Sequence, residues 1–229
     1  MVVNMKLINN LLEKWKIELV IFDLDGTLVN TLDKHIEAFM LLFKEIKQQI
    51  PREQIAENMG RTPKDTLLTL LPKLKNDKTR LEILANRKEE ILTTLLVEIP
   101  KLPGSLETVN YLKNESLKLG LASSTPLFNV RKMIDKAGFG ESFDVIITGE
   151  DIVIGKPNPE VFLKASQKAG VKRESCLVIG DSPHDIEAAK NAQMKIIAVG
   201  TGEHTIEQIK SAQPDLVIKS LTELLTDTK

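Results

Sequence analysis

Six short apolar runs punctuate this 229-residue chain, at positions 17–22, 119–122, 145–147, 176–179, 196–199 and 216–218. Each is continuous rather than alternating and too brief for a helix, so each reads as a strand covered on both faces. Segments of helix length that mix polar and apolar side chains separate the last five. Strands buried on both faces and joined by helices predict an α/β fold with a Rossmann-like parallel sheet core, helices lying on both sides of the sheet.

That pattern is interrupted once. Between 31 and 99 no such run occurs and helical periodicity takes over. Ile36, Phe39, Met40, Phe43 and Ile50 mark one helix face. Thr62, Pro63 and Asp65 supply a cap, a first-turn proline and a third-position acid for a second helix over 63–71. Leu81, Leu84, Ile91, Leu92, Leu95 and Leu96 keep the helical repeat through a third, over 77–97. The sheet texture resumes after Pro103 and Gly104. The chain therefore divides into an α/β core, 1–28 and 101–229, and an inserted all-helical domain, 29–100. Ahead of the first strand, 1–16 predicts an extra amphipathic helix. Its Leu7, Leu11, Leu12 and Trp15 could dock on the core or pair with a second chain, so a monomer or a homodimer is expected.

Composition narrows the function classes. With 31 basic and 32 acidic side chains the net charge is -1, which leaves no general attraction to a phosphate backbone, so no nucleic-acid partner is expected. One cysteine, Cys176, can form neither an internal disulfide nor a cysteine-rich zinc site, and it reads as a buried strand residue. No apolar run reaches the roughly 18 residues that span a bilayer, and the first residues lack a small-residue cleavage site of the secretory kind. The expectation is a cytoplasmic protein with no membrane partner.

The chemistry-bearing residues gather where the strands end. The first strand runs into Asp23-Leu24-Asp25-Gly26-Thr27, which puts two carboxylates on one side of a nearly extended chain. By itself the pair also reads as a turn cap. The second strand meets Ser123-Ser124-Thr125-Pro126, whose hydroxyls and N–H groups precede a helix and suit a phosphate as well as a plain cap. After the third comes Gly155-Lys156-Pro157-Asn158-Pro159, a lysine just ahead of an Asn158 cap. The fourth ends in Gly180-Asp181-Ser182-Pro183-His184-Asp185, where Ser182 caps and Asp185 takes the third helical position, leaving Asp181 without a structural task. Open parallel sheets bind ligands outside these strand ends. Asp23, Asp25, Asp181 and Asp185 cannot all stay ionised close together without compensation, and one lysine is too little. A divalent cation resolves the conflict, and the all-oxygen donor set favours Mg²⁺ over zinc.

These four segments, in this order, resemble the four signature motifs of the haloacid dehalogenase superfamily, and the helical insertion resembles the family's cap of the first class. The branch most like this chain is that of phosphoglycolate phosphatase and β-phosphoglucomutase. The resemblance implies that Asp23 is the nucleophile that forms an aspartyl-phosphate and that Asp25 is the general acid and base, exchanging a proton near neutral pH. It implies Mg²⁺ on the Asp23 carboxylate, the Asp25 carbonyl and Asp181, with Asp185 holding the metal's surroundings directly or through water. Ser123 and the Ser124 N–H would take phosphoryl oxygens, and Lys156 would offset charge on Asp23 and phosphate. Dehalogenases proper lack the second aspartate, so dehalogenation is not expected.

The insertion offers two more candidates for substrate binding. His35 matches a histidine that the mutase branch uses near its hinge, and equally suits a solvated helix position. Arg61, in Gly60-Arg61-Thr62, resembles part of the cap's specificity loop, where its fork of donors could grip an anion. Pro63 stands where the mutase has an arginine, and Gly180 where it has an acid before the metal aspartate. The reading is a Mg²⁺-dependent phosphatase acting on a small phosphorylated metabolite, phosphoglycolate-like or a sugar phosphate. The alternatives are a phosphosugar mutase and a non-catalytic phosphate-binding regulatory protein.

Overall fold

A computed structural model describes residues 6–115 and 117–225. The chain begins with α1 (Lys6–Trp15) and β1 (Leu19–Phe22), then leaves the sheet for α2 (Leu32–Glu45), α3 (Arg52–Ala56), α4 (Pro63–Leu70) and α5 (Lys78–Leu95). It returns through α6 (Ser105–Asn114), β2 (Lys118–Ala122), α7 (Leu127–Ala137), β3 (Val145–Ile147), α8 (Glu160–Ala169) and β4 (Cys176–Gly180). It finishes with α9 (Pro183–Asn191), β5 (Lys195–Val199), α10 (Ile206–Ser211) and β6 (Leu216–Ile218). All six strands run parallel in the order β3-β2-β1-β4-β5-β6. The order reverses at β1, so a crevice opens between the carboxyl ends of β1 and β4.

The sheet is buried from both sides because its strands carry no polar face. Leu19, Val20, Ile21, Phe22, Leu177, Val178 and Ile179 are all fully enclosed. Val20 and Phe22 point into one apolar layer and Leu19 and Ile21 into the other, as the two-residue period of a strand requires. Helix α1 docks on the first layer through buried Ile8 and Leu12, with Leu7, Leu11 and Trp15 half-buried around them. Tyr111 Oη donates to Asn9 Oδ1 at 2.8 Å to fix the helix against α6. The expected apolar stripe is thus consumed by the core; the part of that helix expected at 1–5 lies outside the described residues. No helix among the described residues is long and apolar enough to cross a membrane.

The helical insertion follows the sequence with local corrections. Helix α2 stops at Glu45 rather than running to Ile50, because Lys47 adopts a left-handed φ of 56° and the Gln48 N–H turns back to the Phe43 carbonyl at 2.8 Å. Met40 is exposed while Ile36, Phe39, Leu42 and Phe43 are buried, so the apolar face lies one position away from Met40. Helix α4 opens as expected, with Thr62 Oγ1 accepting from the Asp65 N–H and Pro63 in the first turn. The short α3 and a 3₁₀ turn at Pro72–Asn76 were not apparent in the periodicity, since five residues are too few to show a repeat. The two crossings are tied together: the Asn30 N–H reaches the Pro100 carbonyl at 2.8 Å and the Leu102 N–H the Leu28 carbonyl at 3.0 Å. One apolar layer continues from the sheet through Leu24, Leu28, Val29 and Leu32 into the insertion.

Candidate active site

Asp23 follows β1 directly, and its N–H still bonds the Ile179 carbonyl of β4 at 2.9 Å. The sheet backbone therefore sets where its carboxylate points. Lys156 Nζ, fully enclosed, lies 2.6 Å from Asp23 Oδ1, 2.7 Å from Asp185 Oδ1 and 3.1 Å from the Ala122 carbonyl. One buried lysine thus ties the ends of β1, β2 and the start of α9. Burial alone would push its amine down, but Asp185 and Asp23 outweigh burial and raise it. The approach to Lys156 differs slightly from expectation. Helix α8 starts at Glu160, with Pro159 in the cap position and Asn158 Oδ1 accepting from the Glu160 N–H at 3.0 Å, because prolines at 157 and 159 cannot donate there.

Asp181 directly follows β4, and its Oδ1 accepts from Thr27 Oγ1 at 2.8 Å. Burial raises its pKa well above the usual carboxylate range, and Asp23 and Asp185 push it further. Burial likewise raises Asp23 to about 7; Lys156 opposes this and Asp185 adds to it. Asp185 also closes a capping box, its Oδ2 taking the Ser182 N–H at 3.2 Å and hydroxyl at 2.5 Å. Oxygen atoms of Asp23, Asp181 and Asp185 lie within 4.8 Å of one another. Three buried carboxylates facing one lysine leave negative charge uncompensated, and oxygen donors of this kind fit a hard divalent cation such as Mg²⁺. The approach is reserved by glycines: a Cβ at Gly202 would stand 2.0 Å from Asp181 Oδ2, and one at Gly26, whose φ is 86°, only 2.5 Å.

Asp25 faces the insertion. Its Oδ1 accepts from Thr31 Oγ1 at 2.5 Å and lies 3.0 Å from His35 Nε2, while Oδ2 accepts from Thr125 Oγ1 at 3.2 Å. Burial pushes its carboxyl up, yet His35, the Thr31 hydroxyl and Lys88 outweigh burial and bring it to about 2. These neighbours favour the ionised form of Asp25. His35 is buried, so its alternative as a solvated residue falls. Its Nδ1 meets Lys88 Nζ at 2.9 Å, and Lys88, 1% exposed, also pairs with Glu89 at 2.7 Å.

Ser123 Oγ accepts from the Thr125 N–H at 3.1 Å, and Ser124 Oγ donates to the Gly60 carbonyl at 2.7 Å, joining core to insertion. Arg61 bonds Asn58 and Thr69, while its Nε is buried with no hydrogen-bond partner among the described residues. Asp23, Asp25, His35, Arg61, Ser123 and Ser124 line one chamber of about 30 Å³. Every sequence-predicted residue except Lys156, Asp181 and Asp185 borders this chamber, and those three stand behind Asp23.

Lys88 and Thr31 escaped the sequence reading, and Thr27 and Thr125 stood within its motifs without roles of their own. A lysine in a helix usually snorkels to water, and only its position among Leu84, Ala85, Ile91 and Leu92, all buried, distinguishes it. His184 and His204, assigned no role, pack edge to face at 6.0 Å, and burial lowers both.

Comparison with known proteins agrees with this geometry. Residues 20–199 match the haloacid dehalogenase-like hydrolase family. Pyrophosphatase PpaX of Halalkalibacterium halodurans is 32% identical over 220 residues, covering 92% of this chain and 96% of that protein. Its counterpart in Bacillus cereus is 31% identical over 212 residues, covering 92% and 95%. Among solved structures, a hydrolase from Pseudomonas syringae superposes with a TM-score of 0.84 at 26% identity, covering 91% of this chain and 96% of that one. The β-phosphoglucomutase of Clostridium difficile gives 0.80 at 27%, covering 91% and 93%. The chain belongs to the haloacid dehalogenase-like hydrolase family, as an enzyme of phosphatase type on its phosphoglycolate phosphatase and β-phosphoglucomutase branch.

Proposed function

We propose that the protein is a Mg²⁺-dependent phosphatase that hydrolyses the phosphomonoester of a small phosphorylated metabolite through an aspartyl-phosphate on Asp23. The observation that carries the reading is the buried group of Asp23, Lys156, Asp181 and Asp185 at the β1–β4 crevice, beside Asp25 and the two serines.

Lys156 holds Asp23 Oδ1 by a charge-assisted bond and leaves Oδ2 to attack phosphorus. Ser123 and the Ser124 N–H take the phosphoryl oxygens as charge shifts onto them. Asp25, ionised by its neighbours, is ready to accept a proton from the water that cleaves the intermediate. The earlier half needs Asp25 protonated so that it can give a proton to the leaving oxygen. A dianionic phosphoryl group arriving beside it supplies the like charge that raises its pKa. Asp23, the Asp25 carbonyl and Asp181 would hold Mg²⁺, with Asp185 behind them. When bound, the ion neutralises phosphoryl charge that Lys156 alone cannot. The 30 Å³ chamber is too small to admit a phosphoryl group from outside, so the helical insertion, 29–100, acts as a cap that draws back to admit substrate and closes to exclude water.

The test is inorganic phosphate release from a panel of phosphate esters and pyrophosphate, with and without Mg²⁺, comparing the native chain with Asp23→Asn. Metal-dependent release that falls by roughly 10⁴-fold or more in the variant is expected. Release that requires a sugar bisphosphate activator would indicate the mutase instead, and no release under any condition would indicate the non-catalytic role.

A further inference from the structure

Beyond the closed chamber lies a cleft of about 780 Å³ between α4, α5, the start of α7 and the loop after β3. It shares Pro63, Glu89 and Ser124 with the chamber, so it is the space adjoining the chamber into which a group esterified to phosphate would extend. Its volume is that of a site for an organic ligand.

The two spaces differ in how their charges are met. In the chamber Lys88 and Arg61 face Asp23, Asp25 and Glu89, and Lys156 pairs with Asp23. The cleft wall carries four carboxylates, Asp65, Glu89, Glu90 and Glu150, against Lys64 alone. Lys64 is already paired with Glu82 at 2.6 Å. Glu89 and Glu90 have Lys88 and Arg87 as partners, but Asp65 and Glu150 meet no basic side chain at ion-pair distance among the described residues. The opposite lip is apolar: Pro126, Phe128, Ile152 and Val153 border it, with Phe128 67% and Val153 89% exposed.

Building on the phosphatase reading above, we propose that the leaving group is an uncharged or amine-bearing alcohol with an apolar face, and that a second anionic group is selected against. A carboxylate or second phosphate in the cleft would be brought against Asp65 and Glu150 with no cation to receive it, whereas hydroxyls and ammonium groups donate to those oxygens. Phe128 and Val153 cover the carbon skeleton, which removes apolar surface from water on both partners.

The charge series phosphoglycolate, ethylene glycol monophosphate and phosphoethanolamine tests this, because the three differ mainly in ending in a carboxylate, a hydroxyl or an ammonium. At low salt kcat/KM should rise along the series by about tenfold in total. Glu150→Lys should flatten or invert the order, and Glu150→Gln should fall between. Phe128→Ala should raise KM for phenyl phosphate about threefold or more, and by more than it raises KM for ethylene glycol monophosphate. Faster turnover of phosphoglycolate or pyrophosphate than of the uncharged ester, or an order indifferent to Glu150, would overturn the proposal while leaving the phosphatase intact. Absence of turnover with every compound would overturn both.

Discussion

Asp23 and Asp181 leave neighbouring parallel strands whose register is held by backbone hydrogen bonds, whereas His35 and Lys88 reach the same place from two helices that meet through side chains. The first pair is positioned by the fold itself. Phe22 pairs with Ile179, and any chain that builds this sheet must put position 23 opposite position 180, one residue from 181. The second pair is positioned only while the insertion sits on the core, and it acts on Asp25 from across that seam. On the proposed mechanism the core half supplies the fixed chemistry and the helical half the neighbours that favour ionised Asp25, so that closure and proton affinity would be coupled in one contact.

The largest effect that would sharpen this contrast comes from Lys88→Met. It removes the cation behind His35 without opening a cavity, so Asp25 should titrate at higher pH. We expect kcat to fall by about 10- to 100-fold, with the acid limb of its pH profile moving upward and KM little changed. An unmoved pH profile with a general loss of stability would assign Lys88 a packing role instead.

A smaller effect separates the core half by its pH dependence of stability. Burial raises Asp23 to about 7 from 3.8. Between these values the folded metal-free protein binds more protons than the unfolded chain, so its stability falls as pH rises from about 4 to about 7. Asp23→Asn removes that slope. The variant should melt higher than the native chain at pH 8, by a few degrees, and the gap should close as pH is lowered toward 4. Added Mg²⁺ should close it from the other side by stabilising the native carboxylate. A constant gap across that range would show that Asp23 is not strained by its burial.

Smallest is the clasp between halves. Asp65 Oδ2 accepts the Gly155 N–H at 3.1 Å, next to Lys156. Asp65→Asn should weaken closure and raise KM about twofold to fivefold, with kcat held. A fall in kcat with KM constant would instead place Asp65 in the alignment of Lys156.

The parallel sheet and the polar residues at its strand ends were legible because both depend on short-range patterns, whereas the strand order was not. Apolar runs mark buried strands, and Asp23, Lys156 and Asp181 each follow such a run. The helical insertion was legible as helices but not as contacts. Its apolar stripe showed that α2 packs, while Met40 falls outside the buried face and the stop at Glu45 follows from the turn at Lys47. His35 and Lys88 are 53 residues apart in sequence and meet only because α2 and α5 pack together. No spacing rule on a single helix points to that pair. Arg61 was visible, but its local bonds to Asn58 and Thr69 and its unpartnered Nε depend on the turn between α3 and α4.

The most direct test of the account is to locate the covalent intermediate. The Mg²⁺-loaded enzyme, quenched in acid during turnover and reduced with borohydride, should yield homoserine at position 23 in peptide mass spectrometry, because reduction converts an acyl phosphate to an alcohol. The predicted result is modification at Asp23, none at Asp25, and loss of the signal in Asp23→Asn. Steady phosphate release with no modification at Asp23, or modification at Asp25, would contradict it.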